Sequence, residues 1–328
     1  MCLNGERKEK EMSENTKIKT SIGGSALIEG IMMRGPKKTT VALRLPDKSI
    51  YTEDIEFKSI ASMNKFFRLP MIRGFVALID SLRLSMTCLM LSADKAAQGE
   101  ETTEEPSKFE KWMTEKFGDN LFNFIMTVSM ILGVLLAVVL FVWFPSFLFS
   151  LIAKAAPAVG EGTILRSVFE GVLKIALFLG YIVVVSRTPD MKRTFMYHGA
   201  EHKTIFCYEN LEELTVENVK KFKRFHPRCG TSFMIIMLLV GVIIGLFITA
   251  SNPFLRTAIK LLLLPVSCGV GYELIKLCAK YDNIFTRIIA APGLLAQRIT
   301  TIEPDDSMIE IAIAAIKPVI PENGEDRI

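Results

Sequence analysis

The stretch "LFNFIMTVSMILGVLLAVVLFVWF", residues 121–144, carries no charged side chain. About 20 consecutive apolar residues cross a bilayer as a helix, and in lipid a helix satisfies all its own backbone polar groups. A soluble core helix has little use for so long a run. It predicts an integral membrane protein that is mainly α-helical. Half of the chain is hydrophobic (50%) while 23% is charged, which requires the two classes to be segregated along the sequence. A net charge of +4 is too weak to argue for nucleic acid, so the expected partners are membrane lipid and a membrane-embedded or membrane-adjacent substrate.

Three more spans are expected, at about 164–186, 233–250 and 256–278, giving a four-helix transmembrane bundle. The third is free of charge, and the fourth is charged towards both ends. The second carries Arg166, Glu170 and Lys174 in its first half. Charges inside spans face the bundle interior or reach for the interface. Glu170 and Lys174, at i and i+4, read as an internal ion pair, with a transport path as the sharper alternative. Gly241 and Gly245 form a GxxxG pair that lets helices approach closely, either within this bundle or across a homodimer seam.

The distribution of lysine and arginine sets the expected orientation. Residues 188–232 hold Lys192, Arg193, Lys203, Lys220, Lys221, Lys223, Arg224 and Arg228, whereas 145–163 hold only Lys154 and 251–255 none. A multi-pass protein of the inner (plasma) membrane follows, with both termini and residues 188–232 in the cytoplasm. The polar N-terminus lacks the apolar core of a cleavable signal. Of six cysteines, none forms a CxxC pair. Cytosolic thiols stay reduced, so Cys207 and Cys229 are expected as free thiols, and Cys268 and Cys278 as small buried hydrophobes.

The expected organisation is a disordered N-terminus (1–20) and a cytosolic or interfacial region (21–118), then spans one and two (119–187) and a cytosolic histidine-rich loop (188–232). Spans three and four (233–280) and a cytosolic C-terminal tail (281–328) complete it. Within 21–118, "TTVALRLPDKSIYTEDIEFK" alternates apolar and polar residues around "PDKS", as in a β-hairpin. Residues 68–96 have helical apolar spacing interrupted by Arg73, Asp80 and Arg83, which predicts an amphipathic helix at the membrane or against the bundle, a fifth span being the competing reading. "QGEETTEEPSK" (98–108) reads as an acidic linker, and "EPDDSMIEIAIAAI" predicts a short helix capped near Asp305 or Asp306. The cytosolic part is thus a small α+β region of an N-terminal hairpin and amphipathic helices.

All three histidines fall in one segment: His198 and His202 in "YHGAEHKTIFCYEN" and His226 in "RFHPRCGTSF". His198, Glu201 and His202 form H-x-x-E-H. On a helix, positions i and i+4 share a face, so two imidazoles can grip one metal ion while Glu201 reaches a water beside it. This is the inverzincin pattern. His226 and Cys229 are sound third ligands for zinc or another divalent metal. Glu209 and Glu273 are further candidates for supporting the site. Blander readings have His198 capping "MKRTFMYH", His202 beside Lys203 on a lipid phosphate, and His226 as a turn residue before Pro227.

Four stretches, "SALIEGIMMRGP" (25–36), "YHGAEHKTIFCYE" (197–209), "FHPRCGTSF" (225–233) and "PGLLAQRITTIEPDD" (292–306), resemble the signatures of the YqhQ-like family. These are multispanning bacterial membrane proteins, defined as a domain of unknown function and labelled predicted metal-dependent enzymes. The resemblance runs from about residue 21 to 316. It implies a membrane location and a role for these motifs, but no reaction.

Gly23, Gly24, Gly30 and Gly35 surround Glu29 and Arg34 in the first motif. There is no GK[ST], so it is not a Walker A loop. It reads as a glycine-permitted loop that brings Glu29 and Arg34 to the site. The alternative is a structural turn in which the two pair with each other. The leading functional expectation is a metal-dependent hydrolase at the cytosolic membrane surface, with His198 and His202 as ligands, His226 or Cys229 as the third, and Glu201 as general base. Inverzincins take a carboxylate third ligand at longer spacing, which argues against a peptidase in particular. The alternatives are a non-enzymatic scaffold or assembly factor with a structural metal or docking loop, and a small transporter or lipid-handling protein.

Overall fold

The computed structural model describes residues 18–97, 121–156, 162–281 and 283–327, without the side chains of 97, 121–123 and 126. The linker 98–108 and all but the end of the expected N-terminal lead-in lie outside these. Four strands, β1 (Gly23–Leu27), β2 (Gly30–Arg34), β3 (Thr39–Arg44) and β4 (Ile50–Asp54), form one antiparallel sheet in sequence order. The helices are α1 (Ile72–Ala97), α2 (Leu121–Val138), α3 (Phe144–Ala155), α4 (Thr163–Val185), α5 (Pro189–Glu209), α6 (Val216–Lys220), α7 (Gly230–Gly245), α8 (Pro253–Leu262), α9 (Leu264–Lys280), α10 (Ile284–Thr300) and α11 (Asp306–Ile316). The chain is therefore mainly helical with one small sheet. It divides into two compact units: Met1–Gly99 with Tyr181–Met237 and Pro265–Ile328, and Glu100–Gly180 with Leu238–Leu264.

In the first unit the hairpin expected over 39–58 is β3–β4, paired from Thr40↔Asp54 to Arg44↔Ile50. Its tip closes by a bond from Leu45 N to Ser49 O (3.0 Å), with Lys48 in the left-handed region (φ 68). The first glycine-rich motif, expected as a loop, is instead a second hairpin, β1–β2, paired from Gly23↔Arg34 to Leu27↔Gly30. Ile28 and Glu29 make its two-residue turn, and Glu29 takes φ 51. The reason β2 is hard to read lies in burial on both faces. Ile31, Met33 and Ala42 face a core built with α5 and α11, while Met32, Val41 and Leu43 face Leu84 and Cys88 of α1. A sheet covered on both sides gives a continuous apolar run such as "IMM" instead of alternation. Each such side chain removed from water contributes roughly 1.5–3 kcal/mol.

α11 starts as expected: the Asp305 side chain accepts from Met308 N (3.0 Å), satisfying one open N–H of the first turn. α10, within the expected C-terminal tail, is a regular helix. Its N-terminus carries a reciprocal capping box between Asn283 and Thr286, and it runs through Pro292. That internal proline, followed by glycine, masks the helix in the sequence.

Among the described residues three helices are long and apolar enough to cross a membrane: Ile72–Ala96, Thr127–Ala155 and Thr163–Val185. The pair α8–α9 makes a fourth if taken as one span bent by 48°. This alters the expected four-helix bundle in three places. The first span does not stop at Phe144. A π-helical turn over Val139–Trp143 hands the chain to α3, with Pro145, which has no N–H to give, just past the irregular turn. The expected third span is only α7, 16 residues, and ends at Gly245. The segment expected as an interfacial helix, α1, passes the same length and composition test as the spans. Its charges are matched: Arg73 pairs with Glu273, and Asp80 accepts from Ser59 Oγ and Ile60 N.

In the second unit Glu170 does not pair with Lys174. It binds Arg166, one turn earlier on its own helix, and Arg256 and Lys260 of α8. Of the GxxxG pair, Gly241 has no neighbouring atom within 4 Å of where a Cβ would sit, and the tight contact in this unit is Gly171 against Val242.

Candidate metal centre

The expected histidine-rich loop is largely helix. Pro189 at the first position and Asp190 in the first turn suit a helix N-terminus, and α5 then runs unbroken to Glu209. It buries Tyr197, Ala200, Ile205 and Cys207 against the sheet and α11. The i,i+4 spacing sets the His198 and His202 rings side by side, centroids 4.4 Å apart. Cys229 comes from the short segment before α7, and its Sγ lies 3.1 Å from His198 Nε2. The ligand atoms of His198, His202 and Cys229 all lie within 4.8 Å of one another.

Backbone carbonyls orient both rings. His198 Nδ1 donates to Thr300 O (2.8 Å) and His202 Nδ1 to Arg224 O (2.5 Å). A carbonyl only accepts, so Nδ1 carries a proton in each ring, and Nε2 is the nitrogen that each ring would offer to a metal, on His198 after release of the proton it shares with Cys229. This is the arrangement in which ligating histidines are held. His202 Nε2 is buried without a hydrogen-bond partner among the described residues, and so is Glu201 Oε2. The other Glu201 oxygen, Oε1, accepts from Gly24 N of β1 (3.1 Å).

Burial dominates the electrostatics and is partly overcome by neighbours. It pushes the Glu201 carboxyl above its usual range, against the pull of His198 and His202. It opposes charge on His198 as well, but Cys229 and Glu201 outweigh it and raise that imidazole to about 9. It disfavours a thiolate at Cys229, yet His198 and His202 hold this thiol well below an ordinary cysteine. Cys207, by contrast, is pushed up to about 11, first by burial and then by Glu212. A lowered thiol between two imidazoles is the donor chemistry of a borderline-soft cation. The residues present fit zinc.

The structure does not bring His226 into this group. Its ring centroid is 5.6 Å from that of His202, but its Nε2 faces Glu209 (3.6 Å) and its Nδ1 accepts from Arg228 N (3.3 Å). Gln297 clamps its backbone, accepting from His226 N (2.8 Å) and donating to His226 O (2.7 Å). Glu209 also takes Thr20 N (2.9 Å) and pairs with Arg228, so it ties the start of the described chain to α5. Glu273 pairs with Arg73. Glu29 binds Arg193 and Tyr197 Oη (3.2 Å), and Arg34 lies over Phe57 (5.4 Å), so they neither pair with each other nor enter the cluster. The blander readings of the first two histidines fail on position. His198 sits in mid-helix with its Nδ1 on Thr300, and His202 is 1% exposed while Lys203 pairs with Glu303.

The supporting groups were not read from the sequence: Gly24 N, Arg224 O, Thr300 O and Gln297. Two of them, Gln297 and Thr300, lie in "PGLLAQRITTIEPDD", whose resemblance marked the segment without revealing its chemistry. Gly293 of α10 lies against Ser232 of α7, which is what brings Gln297 to the "HPRC" segment; Gln297 also donates to Ser232 Oγ (3.0 Å).

A family described as "Protein of unknown function (DUF1385)" matches residues 69–322. The chain is 32% identical over 314 residues to a protein of Bacillus subtilis (strain 168) described as "Uncharacterized protein YqhQ", covering 93% of each. No solved structure matches the chain.

Proposed function

The chain belongs to the DUF1385 family of proteins of unknown function, and from that premise we propose that it is a metal-dependent hydrolase, His198, His202 and Cys229 holding the ion and Glu201 acting as base. The observation that carries this reading is the pair of orphaned buried atoms, His202 Nε2 and Glu201 Oε2, on the same helical face as His198. An unpaired polar atom in a buried site costs about 1–3 kcal/mol, and a ligand that needs both removes the cost. Three protein ligands also leave one coordination position, the pattern of catalytic rather than structural zinc. Bound there, the ion supplies a Lewis acid and lowers the pKa of water towards 7. Gly24 N fixes Glu201 through Oε1, leaving Oε2 to take a proton from an attacking water.

A second reading, a structural metal in a scaffold or assembly factor, draws on burial. His202 and Glu201 are 1% and 5% exposed, and Cys229 is 8% exposed. The first test common to both is metal content. Detergent-purified protein is expected to carry about one zinc per chain, lost in His202→Ala and Cys229→Ala but kept in His226→Ala, because that ring is engaged by Glu209 and Arg228. Wild-type protein that neither carries nor takes up zinc, cobalt or another divalent ion would end the metal reading.

The lysine and arginine asymmetry supports a site at the cytoplasmic surface of the inner membrane. Reporter fusions or cysteine-accessibility mapping are expected to place residues 188–232 and both termini in the cytoplasm. An extracytoplasmic signal from a fusion within 188–232 would overturn that orientation.

A further inference from the structure

We propose a second site, for an anionic phosphate group, in the unit built from Glu100–Gly180 and Leu238–Leu264, with Lys174 and Lys260 as its donors. It is independent of the metal reading. The observation is an imbalance of buried charge. One carboxylate, Glu170, is 3% exposed and is shared by three cations: Oε1 accepts from Arg166 Nε (3.0 Å), and Oε2 accepts from Arg256 Nε (3.0 Å) and Lys260 Nζ (2.5 Å). A fourth cation, Lys174, lies one turn beyond Glu170 on α4, on the same helical face. It has no hydrogen bond or ion pair among the described residues.

The two arginines have structural roles. Arg256, 1% exposed, donates to Gly245 O (3.2 Å) and Ile248 O, carbonyls at and just beyond the end of α7, and to Ser167 Oγ (2.9 Å). It caps a helix whose last carbonyls have no partner within the helix. Arg166 donates to Ser251 O (2.8 Å), Ser146 O (3.2 Å) and Ser150 Oγ (2.9 Å). Every guanidinium nitrogen is engaged, mostly by neutral acceptors. Those acceptors satisfy hydrogen bonds but cancel no charge.

The lysines are different. Lys260 directs Nζ to Glu170 and to Ser146 Oγ (3.3 Å), so one of its three N–H donors is open. Among the described residues, Lys174 keeps all three. Donors left open among the described residues and an excess of positive charge over the one carboxylate, on α4, which is apolar enough to cross a membrane, and on α8, which is so together with α9, match the tetrahedral oxygens and charge of a phosphate group. An anionic lipid headgroup and a soluble phosphate offer the same chemistry.

The test uses full-length protein in dodecyl maltoside and reads the unfolding midpoint. Dioleoylphosphatidylglycerol in mixed micelles is expected to raise it by about 3–5 °C over dioleoylphosphatidylcholine. Lys174→Gln and Lys260→Gln are expected to abolish that shift. Lys174→Gln removes a side chain with no hydrogen bond or ion pair among the described residues, so its midpoint without lipid stays near wild type and keeps the test decisive if Lys260→Gln folds poorly. A shift with inorganic phosphate in place of phosphatidylglycerol, lost in the same variants, identifies the source as a soluble anion. Equal shifts in wild type and Lys174→Gln, or no shift with either probe, overturn the proposal.

Discussion

Glu201→Gln is expected to keep the metal and the fold while losing about 10²–10⁴-fold of the activity, the range typical of a removed general base. The geometry explains the separation. In glutamine the amide oxygen can still accept from Gly24 N, so the side chain keeps its anchor to β1. The substitution also removes a carboxyl that burial already disfavours in its charged form, so the fold loses little. The lost function is proton uptake, which an amide cannot perform. His202→Ala is expected to behave differently, losing metal and activity together, because removing the imidazole deletes a ligand atom together with the bond to Arg224 O that aims it. The readouts are metal analysis of purified protein and complementation of a strain lacking the gene. A scaffold holding a structural ion reverses the pattern: Glu201→Gln complements fully, and His198→Ala unravels the segment around Cys229. Full complementation by a metal-replete Glu201→Gln protein would therefore move the conclusion to the assembly-factor reading.

The legibility of this site in the sequence divides along a physical line. Contacts within one periodic element were readable. The i,i+4 spacing of His198 and His202 on α5 is local, as are the alternation and turn of β3–β4 and the Asp305 cap of α11. Contacts fixed by tertiary approach were not. Nothing in "FHPRCG" states that His226 turns to Glu209 and Arg228 while Cys229, three residues on, turns to His198. That choice is made by Gln297 on α10, a helix disguised by Pro292. The β1–β2 hairpin was hidden for another reason: β2 is buried on both faces, so it lacks alternation, and the turn uses Glu29 at φ 51 rather than the Asn-Gly pair that announces such turns. Glu170 shows the same limit within a helix, since two of its three partners come from α8.

Gly199→Val is expected to be the most damaging single change outside the ligands, because a strap of chain crosses α5 at that residue. Residues 300–304 are tied to α5 at successive turns. Ile302 N donates to Phe195 O (2.9 Å), Thr300 O accepts from His198 Nδ1 (2.8 Å), and Glu303 pairs with Lys203. Positions 195, 199 and 203 share one helical face, and the middle one is glycine. A Cβ there would overlap the carbonyl oxygen of Ile302 and sit 3.4 Å from Pro304 Cδ. Backbone blocks it, not the movable end of a side chain, so the strap must lift. Overpacking of this kind costs about 1–3 kcal/mol, and each tie lost adds roughly 1 kcal/mol. The expected destabilisation is about 3–5 kcal/mol, read as a lowered unfolding midpoint in detergent. Lifting Thr300 also frees the His198 ring, and losing such an orienting partner typically weakens metal binding about 10–100-fold. Gly199→Ala, which meets the same carbonyl with a smaller side chain, should show both effects in milder form. Gly241→Ala is the control, since no atom lies within 4 Å of its Cβ position, and it should unfold like the wild type. Were Gly199→Val to match that control in midpoint and zinc content, the strap would not be what holds His198 in place.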